Sequence, residues 1–277
     1  MIDLFQYQYF TNGLVAALLV SISSGFIGTY IVSRRIVFIS GGISHAAFGG
    51  VGIAYFLGVN PLAGAAVFSV VAAVGIEVVN QKTPVREDSL IGMMWSFGMA
   101  IGILFVFLTP GYAANLMSFL FGDILTVSRI DLWLMAGLVF LILLVFILRY
   151  RRILYVAFDP EFARTQTVNV QGNRILMMIL VALTVVVNIR VVGIILVISL
   201  MTIPPAAANL LVRDFRHMIL LSSVFALISS LGGLLVSHIL NVPSGAAIVF
   251  TAVLVFAGVK VTLGLLRLKK KQSHRDG

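Results

Sequence analysis

Apolar runs of about twenty residues, the length that carries an α-helix across a bilayer, recur from one end of this chain to the other. They cover residues 12–32, 36–57, 62–79, 90–108, 132–148, 175–189, 192–212, 218–240 and 246–266, and polar or basic stretches separate them. A chain patterned like this cannot hide its apolar surface in one water-soluble core. In lipid each run must satisfy its own backbone hydrogen bonds, which the helix does. The expected fold is an all-α, polytopic helical membrane protein, a single domain over residues 1–277, with about nine transmembrane helices. Eight are expected if the chain only bends at Arg190. Composition agrees: 60% of residues are hydrophobic and 10% charged, against roughly 25% charged in soluble domains.

The net charge of +9 raises nucleic acid as a partner, but its distribution argues against it. With successive runs crossing in alternate directions, every Lys and Arg except Arg129 and Arg190 falls on one side. That asymmetry marks the cytoplasmic face of a membrane protein. It puts the N-terminus outside and the C-terminus in the cytoplasm. Met1-Ile2-Asp3-Leu4 lacks a basic n-region, so the first run is expected to stay in the fold. Cysteine is absent, which excludes disulfides and thiolate metal sites.

The second run holds one ionisable residue, His45, in the stretch Ser40-Gly41-Gly42-Ile43-Ser44-His45-Ala46-Ala47-Phe48-Gly49-Gly50-Val51-Gly52. On a helix, Gly41, Gly42, Phe48, Gly49 and Gly52 share its face. A strip so bare either admits a neighbouring helix closely or leaves room for something small to pass. An ionisable group at bilayer depth favours a function.

Other polar groups placed to meet a cation from outside are Asn115, Asp123, His238 and Asn241. Residues 115–127, holding Asp123, are too short to span and are expected to form a short outer helix. Glu77 and Lys260 lie near cytoplasmic ends, where snorkelling accounts for them. The largest cytoplasmic connection runs from Arg149 to Asn173. Within it Asp159 suits an N-cap, Pro160 the first helical position and Glu161 the first turn. Phe162 and Arg164 follow, ready to dock on a partner. Pro204-Pro205 is expected to break or kink its helix and free carbonyls. No G-x-x-x-x-G-K-[ST], G-x-S-x-G or H-E-x-x-H occurs, so the chain neither hydrolyses ATP itself nor shows a hydrolase site.

Five motifs stand in one order: Ile39 to Ala46, Leu116 to Asp123, the Asp159-to-Gly172 loop, Ser199 to Ala208, and Val242-Pro243-Ser244-Gly245. Together they resemble the permease subunit of the metal-type ABC importers for zinc, manganese or iron. The resemblance implies a prokaryotic plasma (inner) membrane location and no enzymatic activity in this chain. It implies a homodimer with a second permease copy, a cytoplasmic ABC ATPase dimer beneath, and an extracytoplasmic metal-binding protein delivering cargo. Asp159, Glu161, Phe162 and Arg164 then belong to the helix that couples to the ATPase. His45, Asp123, His238 and Asn241 line the metal path, and Gly41, Gly42, Gly49 and Gly52 form its small face. The family usually has an aspartate four residues before the histidine, where this chain has Gly41, and often an acidic residue where it has Asn241. No cofactor is expected to bind tightly. The transported ion is divalent, and His45 without an aspartate favours zinc over manganese or iron. An importer of a chelated metal or small cofactor is the alternative, because Gly41 leaves room for bulkier cargo. An intramembrane enzyme using His45 or His238 is the distant one.

Overall fold

The computed structural model describes residues 8–109, 124 and 127–273, and among these all regular structure is helical. The helices are α1 (Gln8–Ser33), α2 (Phe38–Phe56), α3 (Pro61–Lys82), α4 (Glu87–Leu108), α5 (Arg129–Phe158), α6 (Pro160–Thr165), α7 (Val170–Leu211), α8 (Phe215–Leu240) and α9 (Ser244–Ser273). Asp123, Asn115 and the expected short outer helix lie outside the described residues.

Seven of these helices are long and apolar enough to cross a membrane. The glycine-rich α2 and a second arm of α7 bring the apolar crossings among the described residues to nine. α7 is continuous except at Gly193, where φ is 79° and ψ 165°. Its ends lie together. Val170 packs with Val156 and Ala163, and Phe215, just past the other end, meets the Phe158 ring edge-on at 5.9 Å. The break lies far from both, because Arg190 pairs with Asp131 at the opposite end of α5 at 2.6 Å. Residues 170–192 and 194–211 are therefore two crossings joined by one glycine. The turn expected at Asn188–Arg190 is helical. Asn188 is buried and donates to Ser23 Oγ at 3.1 Å, and the chain reverses where a residue without Cβ permits it. That backbone region is essentially closed to other residues. Gly193→Ala is expected to lower stability by about 1–3 kcal/mol, read as an earlier melting transition in detergent. An unchanged transition would show that the turn tolerates another geometry.

Side-chain chemistry sets the helix ends. Asn60 Oδ1 accepts from the N–H of Leu62 at 2.9 Å ahead of Pro61. Ser128 and Asp131 form a reciprocal capping box at α5. Asp214 opens α8. The His217 backbone N–H, the His217 ring and the Arg216 N–H hold its carboxyl below the ordinary carboxylate range.

The apolar run before Arg149 ends at a kink, as the sequence suggested, but the basic stretch Arg149–Arg152 is itself helical. α5 runs on to Phe158, with a local departure from helical geometry at Arg149 (φ −122°, ψ 16°). Pro204 and Pro205 do not break α7, since the helix holds through them. Their missing N–H groups leave the carbonyls of Leu200 and Met201 without helical partners. Met201 O lies against Gly28 of α1, where an added Cβ would come within 2.6 Å of it. The defect is absorbed by a close helix crossing.

In lipid there is little hydrophobic drive between helices, so small residues line the close crossings and large apolar ones face outward. α1 follows this rule in part, burying Ala16, Ala17, Ser21, Ser24 and Gly25, but toward its basic end it also buries Ile27, Tyr30 and Ile31. α1 packs on α5, α7 and α8, while α2 packs on α3, α4 and α7.

Candidate functional site

His45 lies seven residues into α2, roughly 10 Å along its axis from Phe38 at the helical rise. Its ring stacks on Trp95 of α4, with centroids 4.2 Å apart and planes 6° from parallel. The stack closes Nδ1 from solvent and leaves it without a hydrogen-bond partner. One turn earlier, Gly41 faces the same indole. A Cβ there would meet Trp95 Cζ3 at 3.5 Å and Ile198 Cδ1 at 3.8 Å, both ordinary contacts. Three helices meet at this point: α2, α4 and the second arm of α7.

The other glycines of the strip are occupied. A Cβ on Gly42 would collide with Ile91 Cγ2, one on Gly49 would lie 2.8 Å from Gly98 O, and one on Gly52 2.5 Å from Gly102 O. α4 runs parallel to α2 and fills the strip with its own Gly98 and Gly102, four residues apart in the small-xxx-small pattern. Gly42, Gly49 and Gly52 are helix-packing positions, and the neighbour that fills their face is the reason. Trp95 and Ile198 bound the space beside Gly41, which is that of a small side chain rather than of a bulkier cargo.

The remaining path candidates lie apart within one chain. His238 is exposed, two residues before the end of α8. α8 packs on α1, α7 and α9 rather than on α2. Asn241 caps α8 in the left-handed conformation (φ 51°, ψ 44°), a geometry asparagine tolerates better than most residues. No group of three His, Asp or Glu side chains converges among the described residues.

Two features escaped the sequence reading. Trp95 is the first, and its signal was present: Ile91, Trp95, Gly98 and Gly102 share one helical face, the face α2 needs. Glu77 is the second. It is fully buried, not snorkelling. Its carboxylate lies 3.5 Å from Arg34 and 3.7 Å from Arg174 and accepts from Gln81 Nε2 at 2.7 Å. Arg34 also reaches Glu87 at 3.5 Å and Tyr30 OH at 3.3 Å. The network ties the ends of α1, α3, α4 and α7 together on the basic face.

The same face carries α6. Asp159 Oδ1 accepts from the Phe162 N–H at 2.9 Å, as its position before Pro160 predicted. Ala163 is buried against Val156 and Val170, fastening the short helix to α5 and α7. Glu161 and Arg164 point to solvent. Phe162 is 44% exposed and sets its ring edge-on to Tyr155 at 5.2 Å. Beside it an open groove of about 370 Å³ runs between Tyr155, Phe158 and Phe215.

Residues 6–262 match the family described as the ABC 3 transport family. An uncharacterized membrane protein, slr2045, of Synechocystis is 46% identical over 91% of this chain and 90% of its own. The manganese transport system membrane protein MntC of Halalkalibacterium halodurans is 39% identical over 92% of this chain and 87% of its own. Among solved structures, PsaBC from Streptococcus pneumoniae in complex with a Fab superposes with a TM-score of 0.82 at 31% identity, covering 93% of both chains.

Proposed function

This chain belongs to the ABC 3 transport family, and on that footing we propose that it is the permease of an importer for a divalent metal ion, with manganese as cargo before zinc. What carries the reading is that one fold, over nearly the whole length of both chains, joins it to PsaBC while sequence joins it to relatives named for manganese transport. The zinc preference expected from the sequence is not retained. His45 offers one nitrogen, and among the described residues it belongs to no group of three His, Asp or Glu side chains. Zinc favours a closed set of four nitrogen, sulfur or carboxylate ligands. One imidazole does not complete that set, so His45 by itself gives zinc no advantage, and the relatives named for manganese transport set the order.

In this reading two copies enclose the path and His45 of each lines it. An ATPase pair docks on the basic face, and a binding protein delivers the ion to the opposite one. The basic face is cytoplasmic, by the excess of Lys and Arg there. The test is uptake of labelled manganese and zinc into vesicles holding the whole complex. ATP-dependent manganese uptake that excess zinc does not abolish is the expected result. Transport of a chelate with neither free ion taken up would replace this reading with the alternative.

Two predictions arise here. Single cysteines at Asn60 and Val242 should react with an impermeant reagent in intact cells, and those at Lys82, Glu161 and Lys270 should not. Labelling at Glu161 would invert the map. Phe162→Ala should leave the chain folded, because Ala163 rather than Phe162 fastens α6. It should weaken ATPase association by about 2 kcal/mol or more, as truncation of an interface anchor does. Wild-type copurification and uptake would remove Phe162 from the contact.

A further inference from the structure

A groove of about 680 Å³ opens on the side of the bundle between α1, α5 and α8. Its walls within the apolar zone are Phe26, Leu143, Phe146, Ile147, Ile219 and Leu220. At its end on the basic face stand four arginines, Arg149, Arg151, Arg152 and Arg216. Of these Arg216 lies over the Tyr150 ring at 4.7 Å. No carboxylate among the described residues pairs with any of the four. The groove meets them where α5 departs from helical geometry at Arg149. A second cavity, of about 320 Å³ and polar, adjoins the first and shares Arg149 and Arg152 with it. It is lined also by Thr167, Asn169 and Asn173. Asn173 is buried, and its Oδ1 has no hydrogen-bond partner.

We propose that this pair of cavities is a binding site for one anionic phospholipid. The acyl chain lies in the apolar groove, the phosphate between Arg149 and Arg152, and a headgroup hydroxyl reaches Asn173 Oδ1. Three observations select this occupant. The apolar part begins where the uncharged run 132–148 ends, at the depth where acyl chain gives way to headgroup. The charges at that boundary are unpaired and of one sign, and basic pockets between helices on this face hold anionic headgroups. The unpartnered oxygen accepts a hydrogen bond, which a hydroxylated headgroup donates and a choline headgroup does not. A lipid held there braces the α5–α6–α7 connection from its membrane side. The site requires nothing of the cargo or of His45.

The experiment is native mass spectrometry of the full chain taken from membranes of equimolar phosphatidylglycerol and phosphatidylcholine. Wild type should retain phosphatidylglycerol selectively. Arg149→Gln with Arg152→Gln should lower that retention about 30-fold, at roughly fivefold per arginine near a lipid surface. Leu220→Trp, which fills the groove and changes no charge, should lower it too. Lys82→Gln, exposed on the same face outside the groove, should keep it. Equal retention of both lipids by wild type overturns the proposal without reference to any variant. Displacement of the lipid by inorganic phosphate would make the site one for a soluble anion. Unchanged lipid in Leu220→Trp with loss of the permease pair would make the groove a contact between copies. Either result defeats the proposal.

Discussion

Glu77→Ala is expected to lower the stability of the folded chain by about 3–5 kcal/mol, the cost of leaving buried charge without its partner. The carboxylate is wholly buried and faces two arginines, Arg34 with its side chain 7% exposed and Arg174 at 21%. Removing it leaves Arg34 with Glu87 alone and Arg174 with none. The loss should be cooperative across four helix ends, since each of α1, α3, α4 and α7 contributes one member. Denaturant titration in detergent measures it. The discriminating variant is Glu77→Leu with Arg174→Leu, which restores the charge balance. It should recover much of the loss, because apolar replacement of a buried pair is often neutral. Lys260→Ala, exposed on α9, should change little by comparison. If Glu77→Ala melts like wild type, the helix ends are held by packing alone.

This network shows where the sequence stopped being legible. Crossings follow from apolar length, because lipid punishes a charge in mid-span whatever the neighbours are. Asp159 before Pro160 could be read as a helix start because capping is local. Glu77 could not be read. A lone carboxylate near a helix end looks the same whether it reaches water or meets arginines 43 residues earlier and 97 later in the chain. The glycines after His45 announced a close approach but not what approaches. Gly98 and Gly102 supplied the answer from another helix. The reversal at Gly193 was displaced because Asn188 resembles a turn residue, whereas its amide is used to reach Ser23. In each case the missing information was the identity of a distant partner.

His45 is where the readings of packing and path part, and the stack on Trp95 allows them to be separated. His45→Ala removes both the nitrogen and the ring, at an expected cost of about 0.5–1.5 kcal/mol for the lost aromatic pair. His45→Phe removes only the nitrogen. Phenylalanine can keep the offset face against the indole and cannot ligate. If the residue only packs, uptake per folded complex should survive in the phenylalanine variant and fall in the alanine variant in proportion to stability. If it lines the path, both variants should lose most manganese uptake, with His45→Phe retaining near-native stability. Gly41→Asp completes the set. The added Cβ makes ordinary contacts with Trp95 and Ile198, so the carboxylate can be placed one turn from the imidazole without displacing α4. A carboxylate and an imidazole together bind a divalent ion more tightly than the imidazole alone. A conducting site must also release what it binds. Gly41→Asp is therefore expected to raise manganese retention by the reconstituted permease and to slow turnover, an effect that should vanish when combined with His45→Phe. Wild-type uptake in His45→Phe would take the residue out of the path and leave Trp95 and His45 as a packed pair that joins α2 to α4.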